Sequence, residues 1–223
     1  VGSLKDGIYI LNLTDALMLK KDRTVPWPVL GSGKLEQKYQ GEMLPIFGGS
    51  GAEGFEDIII PNYDDVRVVL GYDKVGEGES WEQKDDKVVF RGSSTGCGRT
   101  ANTNMRLKVS EMKKEWLDAG VTKLTKNLKY DTIHGLGMVE KVPTVPKMSF
   151  EEQSKHKFIL NIDGNVAAYR LLTWMQTGSV IFKVKGPFRV WYEEKLVDKK
   201  TVVEIKEDLS DLEEKYEWCL KND

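Results

Sequence analysis

Cysteine is scarce: Cys97 and Cys219 are the only two in 223 residues. Two thiols cannot build a disulfide scaffold, and their separation has no metal-ligand spacing. Reduced thiols in a cytosol-like compartment are therefore expected. No apolar run approaches the roughly 20 residues that a membrane span needs. Neither sign of charge dominates, with 33 basic against 35 acidic residues. A chain without a basic field is not built to follow a nucleic-acid backbone. The start, VGSLKDGIYI, has neither a basic stretch nor a long apolar one and reads as no signal peptide. The two histidines, His134 and His156, lie far apart, with no cysteines or acids at ligand spacing, and read as surface or loop residues. No Asp-x-Asp triplet occurs, so the acids that hold a cation on a diphosphate in single-lobed nucleotide-sugar enzymes are missing. No Gly-Lys-Ser/Thr loop occurs, and neither glycine turn of the second half, VVFRGSSTGCGRT or FILNIDGNVAAYR, has the dinucleotide spacing.

What is present is the composition of a globular chain, 40% hydrophobic and 30% charged. Ile8 to Leu11 form a short apolar run that predicts a buried strand, with Asp15 just beyond its carboxyl end. Met43 to Phe47 and Ile58 to Ile60 predict two more short strands. The polar stretch from Gly71 to Asp86 reads as a connection. It divides the chain into residues 1–84 and residues 85–223.

In the second part Lys87 to Phe90 predicts a strand, and Asn102 to Ala119 a helix with mixed apolar positions. Residues 120–150 read as a polar connection. Lys157 to Ile162 is a further strand, followed by a helix from Val166 to Gln176 that Gly178 stops. Ser179 to Val184 and Thr201 to Ile205 are strands. Asp208 to Asn222 is a terminal helix with a Ser210–Glu213 capping box, expected to pack back on the first part. Strands alternating with helices imply a parallel sheet flanked by helices, an α/β fold.

Two strand-to-loop turns carry the candidate chemistry. In VVFRGSSTGCGRT, glycines let backbone approach a ligand, and Arg91 offers a planar fork to phosphate oxygens, beside Gly92 and Ser93. In FILNIDGNVAAYR, Gly164 and Asn165 turn out of the strand. Val166, Ala167 and Ala168 would open a helix whose first N–H groups lack partners, with Tyr169 and Arg170 close behind. Either turn alone is as compatible with plain structural use: a Gly/Ser loop is often only a turn, and a helix start often only packs on its sheet. Asp15 is likewise either a turn residue or a general base facing the other part.

The order and spacing of several segments resemble the CAP10 / protein O-glucosyltransferase family. The segments are Ile10 to Asp15, Leu44 to Phe47, Phe55 to Pro61, Phe90 to Thr95, Lys157 to Asn161, Gly164 to Arg170, Gly178 to Val180 and Glu207 to Leu212. The resemblance runs through nearly the whole chain, and compact versions of this type occur in large DNA viruses. It implies two Rossmann-like lobes facing each other in a GT-B-like arrangement, the first lobe small or truncated. It also implies an inverting transfer of glucose or xylose from a UDP-sugar to a hydroxyl of a glycan or protein, with no metal or other cofactor. Asp15 would be the base. Arg91, Gly92, Ser93, Gly164, Asn165, Val166, Ala167, Ala168, Tyr169 and Arg170 would hold the donor. The sequence departs from many relatives at Val190 to Glu194 and at Lys199 to Thr201, so the resemblance carries no nucleotide-base or acceptor contact over to these positions. Secreted relatives would place the chain in the endoplasmic reticulum or Golgi lumen, against the cytoplasmic expectation from cysteine. A module that binds a nucleotide-sugar or glycan without turnover is the alternative, and a kinase-like phosphate enzyme is disfavoured by the missing glycine loop.

Overall fold

The computed structural model describes residues 9–15, 17, 46–72, 79–127 and 137–222. The large sheet is formed by β5 (Asp85–Ser93), β6 (Leu117–Lys123), β9 (His156–Asn161), β10 (Val180–Val184) and β12 (Val203–Ile205). Its order is β12-β10-β9-β5-β6, and every pairing is parallel. Its central strands each hold a three-residue apolar run, Val88 to Phe90, Phe158 to Leu160 and Val180 to Phe182, because both faces are covered. Val88, Phe90, Phe158, Leu160, Phe182 and Val184 point to one face. Val89, Ile159 and Ile181 point to the other. Each such side chain, fully buried, contributes about 1.5–3 kcal/mol.

A smaller parallel sheet has the order β1-β2-β4, from β1 (Ile10–Asn12), β2 (Ile46–Gly48) and β4 (Ile58–Ile59). The helix α1 (Tyr63–Val69) follows it, with Asn62 accepting from the Asp65 amide as cap. A two-stranded antiparallel pairing of β3 (Gly51–Ala52) with β11 (Phe188–Arg189) joins the small sheet's segment to the large sheet's segment. It crosses the 84/85 division expected from the sequence. Two remaining short strands, β7 (Lys126–Asn127) and β8 (Gly137–Met138), pair with each other. Parallel sheets with helices are the Rossmann-like character expected.

Several local expectations change. The helix expected over 102–119 is only α2 (Met105–Glu111), capped by the Asn104 side chain, which accepts from the Arg106 and Leu107 amides. Leu117, Ala119 and Val121 then alternate as β6, because that edge of β5 needs a partner. Residues 120–150 consequently hold strand ends, not a plain connection. No helix begins at Val166: residues 164–170 are irregular, and α4 covers only Leu171–Trp174. The Asp163 carboxylate accepts from the Ala168 amide and keeps that loop out of helical geometry. Gly178, at φ +67, still ends the segment.

The terminal helix α5 starts at Leu212, without the expected capping box, because Glu213 is engaged by Lys114 at 2.9 Å. Its buried residues Leu212, Tyr216 and Cys219 join the core on the large sheet, not the first part, and Tyr216 stacks on Trp116 at 4.6 Å. The strand β1, expected to be buried, has Ile10 and Leu11 exposed. Other expectations fall partly outside the described residues, including Ile8, Met43 to Pro45 and His134. His156 is buried in β9, 3.7 Å from Asp85, not a surface histidine. Among the described residues, no helix is long and apolar enough to cross a membrane.

Candidate active site

The chain leaves β5 to one side for β6 and returns on the other side as β9. This reversal makes a topological switch point, and in parallel sheets ligands settle in the crevice beyond the strand ends there. A cavity of about 600 Å³ opens at that place. Asp15, Arg91, Gly92, Ser93 and the whole run from Gly164 through Asn165, Val166, Ala167, Ala168 and Tyr169 to Arg170 line it. Thr95 and Asp64 line it too, as do Arg106, Lys123 and Lys147, three residues not singled out from the sequence.

The arginines differ in their company. Arg91 Nη2 donates to Asp118 Oδ1 at 2.7 Å, and Nη1 donates to the carbonyls of Asp118 and Phe90 at 2.8 and 3.0 Å. Its charge is neutralised by a neighbour on β6, so it is a weaker anion ligand than its place in the motif implies. Arg106 reaches the cleft from α2 and binds only neutral oxygens. Its guanidinium donates to the carbonyls of Ile162, Asp163 and Ser93 and to Thr95 Oγ1, at 2.7 to 3.2 Å. It thereby ties the two candidate turns together. Arg170 donates from Nη2 to the Arg91 carbonyl at 2.9 Å and lies 4.5 Å over the Trp174 ring.

Among the described residues neither Arg106 nor Arg170 forms an ion pair with a carboxylate. Burial, together with repulsion from Arg170, pushes Arg106 down to about 9. Burial alone pushes Arg170 down to about 10. A buried cation without a counter-ion is costly. Two beside each other at a cleft floor form a site that an anion relieves.

The glycines serve these side chains. A Cβ on Gly92 would lie 3.2 Å from Arg170 Nη2, and one on Gly164 would lie 3.1 Å from Arg106 Nη2. Beyond letting backbone approach a ligand, as expected from the sequence, they admit guanidinium groups. The helix-start argument for Val166 to Ala168 also falls, since no helix starts there. The loop is held from below by Asp163, whose carboxyl burial raises above its usual range and whose Oδ2 is buried without a hydrogen-bond partner. Tyr169 crosses to the small sheet's segment, where a Cβ on Gly49 would lie 3.0 Å from its hydroxyl.

On the opposite side Asp15 is exposed just past β1, close enough for its charge to act on Arg106 and Tyr169. Asp64 shares that side. Asp65 is buried; its Oδ2 accepts from Trp191 Nε1 at 2.9 Å and Asn62 Nδ2 at 2.7 Å. Burial raises it to about 6. Among the described residues, no group of three or more His, Cys, Asp or Glu is arranged to hold a metal ion.

The family model of Glycosyl transferase family 90 matches residues 15–223, from the cleft aspartate to the last residue. The chain belongs to glycosyl transferase family 90. Among its relatives is the uncharacterized protein 035R of Invertebrate iridescent virus 3, 30% identical over 99% of this chain and 22% of the relative. Protein O-glucosyltransferase 2 of Danio rerio is 28% identical over 94% of this chain and 43% of the relative. Protein O-glucosyltransferase 3 of Homo sapiens is 29% identical with the same coverage. The family 90 chain spans less than half the length of these relatives.

Proposed function

We propose that this family 90 chain is the catalytic unit of an inverting, metal-independent glycosyltransferase that moves glucose or xylose from a UDP-sugar to a hydroxyl of a glycan or protein. The observation that carries the reading is the pair of arginines, buried Arg106 and half-buried Arg170, without carboxylate ion pairs among the described residues, facing Asp15 across one cleft. The diphosphate lies over the two guanidinium groups, which supply the positive charge that a cation would otherwise bring. The sugar points toward Asp15. As the acceptor oxygen bonds to the anomeric carbon, its proton passes to the Asp15 carboxylate, and the bond from that carbon to the phosphate oxygen breaks. UDP departs with its new charge held by Arg106 and Arg170. A single displacement of this kind inverts the anomeric carbon, and a positioned base contributes typically 10²–10⁴-fold. The two parallel sheets, one on either side of the cleft, are the two lobes of a GT-B-like arrangement in this reading.

Titration calorimetry with UDP in excess chelator, followed by transfer from UDP-glucose and UDP-xylose to a hydroxyl acceptor, tests it. The expected outcome is chelator-resistant UDP binding and product of inverted configuration. Loss of UDP binding on chelation would overturn metal independence. UDP binding with neither transfer nor donor hydrolysis would leave a nucleotide-sugar-binding module.

A further inference from the structure

A second cavity, of about 360 Å³, lies at the opposite end of the large sheet. Phe158, Val180 and Val203 reach it from the first residues of β9, β10 and β12, whereas the cleft lies beyond the last residues of β5 and β9. With strands of five to six residues rising about 3.3 Å each, the two cavities are roughly 15–20 Å apart. It is therefore a separate site and does not rest on the glycosyl-transfer reading.

Its walls are aromatic and its rim is cationic. Trp81 and Trp218 stand half-buried over a floor of Phe158, Val180 and Cys219. Lys199 and Lys200 are exposed at the mouth, and no aspartate or glutamate lines the cavity. Among the described residues neither lysine pairs with a carboxylate. Lys199 holds a left-handed backbone at φ 58, and its ammonium stands 4.4 Å from the centre of the Trp218 ring. The hydroxyls that line the cavity are engaged within the chain: Ser179 Oγ donates to the His156 carbonyl at 2.7 Å, and Thr201 Oγ1 accepts from the Val197 amide at 2.7 Å. Cys219 belongs to the core, and burial pushes its thiol up to about 11, so it is a neutral apolar wall. Lys157 stands 5.1 Å from the centre of the Trp81 ring, so the chemistry offered to a ligand is the indole of Trp218 and the remaining edge of Trp81 beside the Lys199 and Lys200 ammonium groups.

We infer that this cavity binds an acidic sugar, a pyranose ring that lays its C–H face on tryptophan and turns a carboxylate or sulfate to Lys199 and Lys200. A pyranose has one apolar face and a polar edge, and this wall has the same division. The negative group is specified because the rim supplies two cations, while the acid beside it, Asp198, is engaged by Lys215 at 3.8 Å and by the Glu204 amide at 2.9 Å. Such a site would hold an acidic glycan against the enzyme while leaving the cleft open.

Titration of the whole chain with a uronic-acid trisaccharide, followed by heteronuclear NMR and tryptophan fluorescence, tests this. A neutral trisaccharide, benzoate and inorganic sulfate serve as comparators. The substitutions are Lys199→Asn, which tolerates the left-handed backbone, and Lys200→Gln. The expected result is saturable uronate binding that perturbs Trp81 and Trp218 resonances, and about tenfold weaker binding of the neutral sugar, the size of one charge-assisted hydrogen bond. The double variant should lose that preference while UDP affinity stays unchanged. No saturable binding, equal binding of neutral and acidic sugars, an unaltered double variant, or benzoate or sulfate matching the uronate would each overturn the inference.

Discussion

The two sides of the cleft are made differently. One side grows from the large sheet and carries buried cations whose positions are fixed by multiple hydrogen bonds, as with Arg106. The other grows from a three-stranded sheet with exposed strand residues and carries the carboxylates Asp15 and Asp64, the former in full contact with water. In the proposed mechanism the difference separates two tasks. Holding a diphosphate calls for fixed charge in a place that water does not screen. Taking a proton from an incoming hydroxyl calls for a group that the acceptor can reach. A second contrast lies within the first side. Arg91 and Arg170 both point into the cleft, but Arg91 is spent on Asp118 and Arg170 is not.

Four substitutions break or sharpen these contrasts. Asp15→Asn keeps size and polarity but removes the base. Transfer should fall about 10²–10⁴-fold in initial-rate assays while UDP affinity changes little. Full activity in a folded variant would remove Asp15 from the mechanism. Arg170→Ala should weaken UDP binding by roughly 1.5–3 kcal/mol, read by calorimetry. Arg91→Met should change UDP affinity by less than about 1 kcal/mol, since the charge it removes is already neutralised. If Arg91→Met equals or exceeds Arg170→Ala, the contrast between paired and unpaired arginines is wrong.

The smallest effect concerns Asp65. Burial raises its carboxyl to about 6 in the folded chain from an ordinary 3.8. A raised carboxyl binds its proton more tightly when folded, so its favourable contribution is present at about pH 4 and lost as pH rises through about 6. Asn62, Trp191, Asp64, Tyr169 and Tyr192 face it, and none supplies a compensating positive charge. The melting temperature should therefore fall relative to Asp65→Asn over that window in thermal scans. Parallel curves would show that Asp65 does not titrate there.

The parallel α/β character was legible because buried strands such as Phe158 to Leu160 announce themselves as unbroken apolar runs. The cleft residues were legible for a related reason: turns at the ends of such strands are where a ligand is met, and the resemblance picked out the same turns. Arg106 was not legible. It sits inside a helix distant in sequence from the Gly164 turn that receives its guanidinium, and only tertiary packing carries it beneath both loops. The strand β6 was hidden because Trp116, Leu117 and Ala119 also fit a helical extension past Met112. Only the empty edge of β5 decides between the two periods. The missing helix at Val166 has a similar cause, since one buried carboxylate, Asp163, captures the Ala168 amide and outcompetes the helix that small residues would allow.

The pairing of β3 with β11 has a consequence for biosynthesis. Ala52 pairs with Phe188, which is made 188 − 52 = 136 residues later. At about 5–20 residues per second, the first strand waits several seconds or longer for its mate. The segment around β3 therefore cannot reach its final form until residue 188 has emerged, and its exposed apolar residues are unprotected over that interval. A ribosome paused before residue 188 would hold a nascent chain with an orphaned strand, a natural point for a chaperone to act.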